Sequence, residues 1–134
     1  MANLLTYGSL MFNDVWEKLV KGEYHSRKAT LNGYARRCVL NDVYPVIFPA
    51  DESVQGVVYF DIIDEDMKIL DEFEGIFYER RSLEALLEDH QSIPIEVYVL
   101  KEQYFNIIDH KLWDEAFFAQ EGIKQFIKNY KGFI

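Results

Sequence analysis

Six short strand-like runs rich in valine, isoleucine, tyrosine and phenylalanine, together with one short extended piece, are separated by turn-forming residues and constrain this chain more than any other feature. Asn3–Tyr7 reads as an apolar strand that stops at Gly8. Tyr24–Leu31 and Tyr34–Leu40 flank Asn32-Gly33, a dipeptide that favours the tight turn of a β-hairpin. Pro45–Phe48 is a short extended piece between prolines, and Val54–Ile62 reads as a central strand. Phe77–Leu87 and Ile93–Leu100 complete the set, joined across Glu88–Ser92. Helical segments are fewer. Asn13 is the expected cap of a helix through Leu19, and Asp64 of one that ends at or just before Gly75. In Trp113–Tyr130, Trp113, Phe117, Ile123, Phe126, Ile127 and Tyr130 recur at helical spacing, as one amphipathic helix or two meeting near Gly122. With no regular βαβ alternation, the expected class is α+β. So many short strands expose many edges, and a closed or partly closed barrel covers them.

The length of 134 residues fits one domain, 1–134, and 49% hydrophobic residues can build a sizeable core. A formal net charge of −9 argues against nucleic acid, whose phosphates require clustered Lys and Arg. The single cysteine excludes an internal disulfide framework and fits a reducing compartment. No apolar run approaches the ~20 residues of a membrane-spanning helix, and the first residues lack the basic start of a secretory signal. The expectation is a soluble, cytoplasmic protein. Its charge is uneven: +2 over residues 1–50, −10 over 51–89 and −1 over 90–134. That acidic middle is either solvated surface or a place where carboxylates disturb one another.

Few residues carry chemistry of their own. His25, His90 and His110 lie far apart with no partner at ligand spacing, so no metal site is expected. Cys38 falls in a strand beside Val39 and Leu40, where packing explains it. Tyr7-Gly8-Ser9-Leu10 leaves a strand toward a helix but lacks the second glycine of a nucleophile elbow. It is either an ordinary turn or one whose backbone N–H groups hold an anion or a developing oxyanion. Glu74 is more informative. On a helix from Asp64, residues Ile63, Met67, Leu70 and Glu74 fall within roughly 60° of one another, with Asp71 at the edge of that stripe. A carboxylate on an inward face must be paired, protonated or functional. Burial, the helix C-terminus and nearby acids all push its pKa upward, as a general base near neutral pH requires. The alternatives are a solvent-exposed end or a salt bridge to Arg80 or Arg81.

Two segments in order, Tyr7-Gly8-Ser9-Leu10 and Leu70-Asp71-Glu72-Phe73-Glu74-Gly75 followed by Tyr78-Glu79-Arg80, resemble the gamma-glutamylcyclotransferase-like family. That family includes the gamma-glutamylamine cyclotransferases and the plant avirulence-induced-gene proteins. Leu31-Asn32-Gly33-Tyr34, Tyr44-Pro45-Val46 and Val54-Gln55-Gly56-Val57-Val58-Tyr59 add to the likeness, which runs from about residue 4 to residue 100. The resemblance implies a small mixed β-barrel with short helices packed outside and a cavity at one end. It implies conversion of a gamma-glutamyl amide into 5-oxoproline and a free amine, with no cofactor and no metal. Glu74 matches the catalytic glutamate, Tyr7, Gly8, Ser9 and Leu10 match the substrate-binding loop, and Tyr78 would line the pocket. The partner expected is a small gamma-glutamyl substrate, not nucleic acid or a membrane. The segment from Trp113 onward is either a helix covering the barrel or a dimer surface, which leaves a monomer or a homodimer. A non-catalytic binding or regulatory domain on the same barrel is the rival reading.

Overall fold

A computed structural model describes residues 1–42, 44–122 and 124. Five strands form a closed barrel: β1 (Ala2–Thr6), β2 (Ser26–Cys38), β3 (Pro45–Ile62), β4 (Tyr78–Leu87) and β5 (Ser92–Leu100), in the order β1-β3-β2-β4-β5. Neighbouring strands are antiparallel except at the closure, where Leu4 of β1 meets Glu96 of β5 in parallel. The barrel is therefore mixed, as the resemblance implied.

Two of its strands are longer than the sequence suggests. Asn32-Gly33 does not turn the chain back: β2 runs straight through it, and Tyr24–Leu31 and Tyr34–Leu40 do not form a hairpin with each other. Gly33 takes the positive φ of +86° that its sequence signals, but uses it for a break in register. Asn32 faces Ser53 while Tyr34 faces Pro49, so both halves of β2 pair with β3. Pro45–Phe48 and Val54–Ile62 are likewise two ends of one strand, whose prolines sit at its start and beside the irregularity. Leu31 and Ala35, on either side of the kink, are both buried, and continuing along β3 keeps them so.

Alternation along the strands separates two apolar clusters. Leu5, Val58 and Val97 join one made of strand residues and Tyr7, which fills the barrel. Their neighbours Leu4, Tyr59 and Tyr98 join another on the outer face. Against that face lie α1 (Asn13–Leu19) and α2 (Asp64–Glu74), through Val15, Trp16, Met67, Leu70 and Phe73. Trp16 stacks on Tyr59 with ring centres 3.7 Å apart. Neither helix is capped by its first polar residue: Phe12 precedes Asn13, and Ile63 precedes Asp64, without a side-chain cap. Ile63 is 42% exposed, so the inward stripe of α2 runs instead through Asp66, Met67, Leu70 and Phe73. A short helix α3 (Glu115–Phe117) leads into a wider helical turn, Phe118–Gly122. The rest of the expected Trp113–Tyr130 helix, with Ile123, Phe126, Ile127 and Tyr130, lies outside the described residues. Among the described residues no helix is long and apolar enough to cross a membrane.

Asp66 ties α2 to the loop after α1. Its carboxylate accepts from the N–H groups of Lys21 (3.1 Å) and Gly22 (3.0 Å) and from the Tyr24 hydroxyl (2.6 Å). Burial alone would raise its pKa, but these donors outweigh it and hold the carboxyl below its ordinary value. A depressed acid stabilises the fold above the unfolded pKa of about 3.9, and that contribution fades as pH falls through the lower folded value. Asp66→Asn should cost about 2 kcal/mol at pH 7 in denaturant unfolding. The gap to wild type should narrow below about pH 4, where Asp66 takes up its proton.

Candidate active site

One end of the barrel holds a pocket of about 180 Å³, lined by Leu5–Leu10, Tyr44 and Pro45, by Phe73–Tyr78 and by Tyr98. All the residues singled out in the sequence meet here: Tyr7, Gly8, Ser9 and Leu10 from the segment after β1, Glu74 from the end of α2, and Tyr78 from the start of β4.

Close packing shapes the loop. A Cβ on Gly8 would stand 2.7 Å from Pro45 Cγ and 2.8 Å from its Cδ, so the backbone lies against the first residue of β3. Ser9–Met11 then forms a single 3₁₀ turn, with Met11 N–H bonded to the Gly8 carbonyl. The N–H groups of Ser9 and Leu10 open that turn, where helical geometry supplies no acceptor. Both side chains are buried. Behind the loop, Arg36 Nη1 donates to the carbonyls of Tyr7 (2.8 Å) and Gln55 (3.1 Å), while its guanidinium lies 5.1 Å from the centre of the Trp113 ring. The Tyr7 hydroxyl donates to the Tyr98 carbonyl at 2.5 Å. Burial pushes that hydroxyl well above its usual pKa, and so does the nearby Glu74.

Glu74 is the last residue of α2 before Gly75, which leaves the helix at φ +79°, a conformation favouring glycine. The residue keeps partial exposure through the pocket, but its carboxyl is deep enough that burial dominates. Burial, with Asp71 adding to it, raises its pKa from an ordinary 4.5 to about 8. Neither arginine neutralises it: Arg80 pairs with Asp71 at 3.4 Å, and Arg81 with Glu79. Among the described residues the Glu74 carboxylate makes no ion pair or hydrogen bond. The exposed end and the salt bridge are thereby both set aside, and a carboxyl without an ion-pair partner among the described residues remains at the pocket.

Tyr98 lines the pocket without having been singled out in the sequence, and Phe73 and Tyr44 had entered only as parts of the motifs that carry the resemblance. The Tyr78 hydroxyl donates to the Pro45 carbonyl at 3.2 Å, which ties β4 to the same proline that Gly8 packs against. Burial, then Asp42 and Glu74, push the Tyr44 hydroxyl up to about 12. Cys38 lies outside the pocket, its thiol raised by burial and 3.7 Å from the Leu112 carbonyl, the opposite of an activated nucleophile. Among the described residues no cluster of His, Cys, Asp and Glu is arranged to hold a metal ion.

Comparison with known proteins places the chain by family and fold. Two Arabidopsis thaliana proteins, AIG2-like protein D and AIG2-like protein C, are each 33% identical to the chain. The first covers 99% of this chain and 89% of its own length, the second 98% and 77%. A solution structure of an Arabidopsis thaliana protein superposes with a TM-score of 0.72 at 25% identity, covering 97% of this chain and 88% of that one. A structure titled gamma-glutamyl cyclotransferase superposes at 0.65 with 17% identity, covering 75% and 66%, a likeness of fold. Residues 4–115 match the model of a family described as gamma-glutamyl cyclotransferase, AIG2-like, and the chain belongs to that family.

Proposed function

We propose that this protein is a gamma-glutamyl cyclotransferase-type enzyme, releasing 5-oxoproline and a free amine from a gamma-glutamyl amide with Glu74 as general acid and base. The observation that carries this reading is the Glu74 carboxyl, which lines the pocket, has no ion-pair partner among the described residues and is pushed up to about 8 by burial and Asp71. Its value lies near that of an α-ammonium group, so proton exchange between them needs little driving force. Glu74 takes a proton from the substrate's α-ammonium. The freed amine attacks the γ-carbonyl of the same molecule, and a five-membered lactam ring begins to close. Because both reacting groups sit on one chain, holding it folded supplies much of the rate. The N–H groups opening the turn at Ser9 and Leu10 are the donors for the tetrahedral oxyanion or for the α-carboxylate. Glu74 returns the proton to the departing nitrogen, the C–N bond breaks, and the carboxylate is regenerated. The ring nitrogen, which holds two protons after attack, gives one up as the lactam forms, and the departing amine takes it and leaves as an ammonium. Protons then balance between substrate, Glu74 and products, and the scheme needs no cofactor.

A binding domain without turnover would gain little from such a group, because a buried carboxylate lowers stability unless its charge is used. The open pocket likewise disfavours a purely structural role for the barrel end. Leaving-group preference follows from charge. Among the described residues lining the pocket, Glu74 is the carboxylic acid and none is Lys or Arg, whereas Tyr44, Phe73, Phe77, Tyr78 and Tyr98 supply aromatic surface. An uncharged or cationic leaving amine suits those walls better than one bearing a carboxylate, as in glutathione.

Glu74→Gln should fold and lose release of 5-oxoproline by about 10²–10⁴-fold, assayed over a panel of gamma-glutamyl compounds; undiminished turnover overturns the role of Glu74. Wild-type kcat/KM should fall as pH drops below about 8, since the base must be ionised. The same substitution should leave its mark on stability. A raised acid takes up a proton on folding, so wild-type stability declines as pH climbs from the unfolded value near 4.5 toward 8. Glu74→Gln should therefore be the more thermostable form at pH 8, with the difference closing near pH 5. Within the panel, gamma-glutamyl amides of uncharged or cationic amines should exceed glutathione in kcat/KM by about tenfold or more.

A further inference from the structure

Asp71 precedes Glu74 by three residues on α2, so the two side chains are neighbours along the helix. It is not part of the pocket lining. Its Oδ1 accepts a hydrogen bond of 2.7 Å from the Tyr98 hydroxyl and lies 3.4 Å from Arg80 Nε. The Tyr98 carbonyl in turn accepts from Tyr7. A continuous line of polar contacts thus joins β4, α2, β5 and the loop after β1, through Arg80, Asp71, Tyr98 and Tyr7. We propose that Asp71, held between the Tyr98 hydroxyl and the Arg80 guanidinium, is the positioning residue that sets the pH at which Glu74 exchanges its proton.

The groups facing Glu74 are few. Asp71 faces it from its own helix, Tyr7 from the loop after β1, Tyr44 from the segment ahead of β3, and Tyr98 from β5. Tyr78 lines the pocket from β4. Burial raises the Tyr7, Tyr44 and Tyr98 hydroxyls, so all three stay neutral at physiological pH. Among the described residues the formal charge acting on Glu74 is then Asp71, whose own partner is Arg80. Stability gives little reason for the Arg80 pair, whose side chains are 33% and 41% exposed, a setting where an ion pair contributes little. Asp71 repels a second negative charge and favours protonated Glu74, while Arg80 limits that repulsion. In this reading Asp71 acts on Glu74 directly, and Arg80 acts with opposite sign through its pairing with Asp71.

This inference rests on the proposed chemistry of Glu74, but it can be read without turnover. Carboxyl signals of protein labelled with ¹³C-glutamate are followed against pH, the Glu74 signal being the one lost in Glu74→Gln. Asp71→Asn keeps an acceptor for Tyr98 and removes the charge, so the Glu74 midpoint should move to lower pH. Arg80→Gln should move it to higher pH, and Arg80→Lys should hold it near wild type. The acidic limb of kcat/KM should follow each midpoint. Unchanged midpoints, or shifts of one sign in both charge-removing variants, overturn the inference and leave the pair a simple tie between α2 and β4. If Asp71→Asn fails to fold, the two Arg80 variants decide alone. Midpoints that move as expected without release of 5-oxoproline from any compound uphold the tuning and overturn the proposed activity. Turnover with fixed midpoints does the reverse.

Discussion

The long antiparallel ladder between β2 and β3 is the constraint on which the rest of the molecule rests. It forms the largest continuous stretch of the barrel wall, and β1 lies along its free side at Thr6 and Val57. There the chains approach so closely that a Cβ on Gly56 would stand 2.1 Å from the Thr6 carbonyl oxygen, so only glycine admits β1 at that depth. The placement of β1 fixes where Tyr7 leaves the sheet. The start of β3 supplies Pro45, against which Gly8 packs and to which Tyr78 is bonded. The pocket is thus assembled at one end of this ladder, on backbone already committed by strand pairing.

Glu74 gains its character from the opposite arrangement, a helix end rather than a strand. The apolar stripe of α2 presses the helix onto Tyr59, Tyr98 and Ile62, and Asp66 locks its first turn. With both ends held, the last side chain has little freedom to escape into solvent. Its neighbours at the pocket are mostly aromatic, which removes water without providing a countercharge. A rigid scaffold that keeps an acid in unfavourable surroundings is a common way of preparing a general base.

Part of this was readable in the residues. Helical spacing offered Glu74 either an inward place or an exposed end, and the run after β1 read as a turn, ordinary or anion-holding; both segments line the pocket. The strand count and the hairpin were less legible. Asn32-Gly33 announces a positive φ, which is a local property, but whether the chain reverses or merely kinks depends on which strand lies alongside, a long-range matter. Pro45–Phe48 and Val54–Ile62 looked separate because the polar Asp51-Glu52-Ser53 stretch interrupts them, yet Glu52 is held in the strand by a bidentate pair with Arg37. Tyr98 was invisible as a site residue for a related reason: a tyrosine on the outer face of a strand is ordinary packing until the helix that receives its hydroxyl is in place. Ile63 erred the other way, since helical phase assigned it to the stripe while the helix begins one residue later.

Arg36 touches three stretches far apart in the chain: the Tyr7 carbonyl, the Gln55 carbonyl and the face of Trp113. One delocalised cation, partly stripped of water, therefore serves as the joint through which the region beyond the barrel reaches the loop at the pocket. Trp113 also packs on Phe118, and Phe118 on Phe12, so that region grips the loop from both of its flanks. The segment around Trp113 and Phe118 becomes a determinant of how firmly the loop is held. Variation there can retune the loop among relatives while every residue at the pocket stays the same.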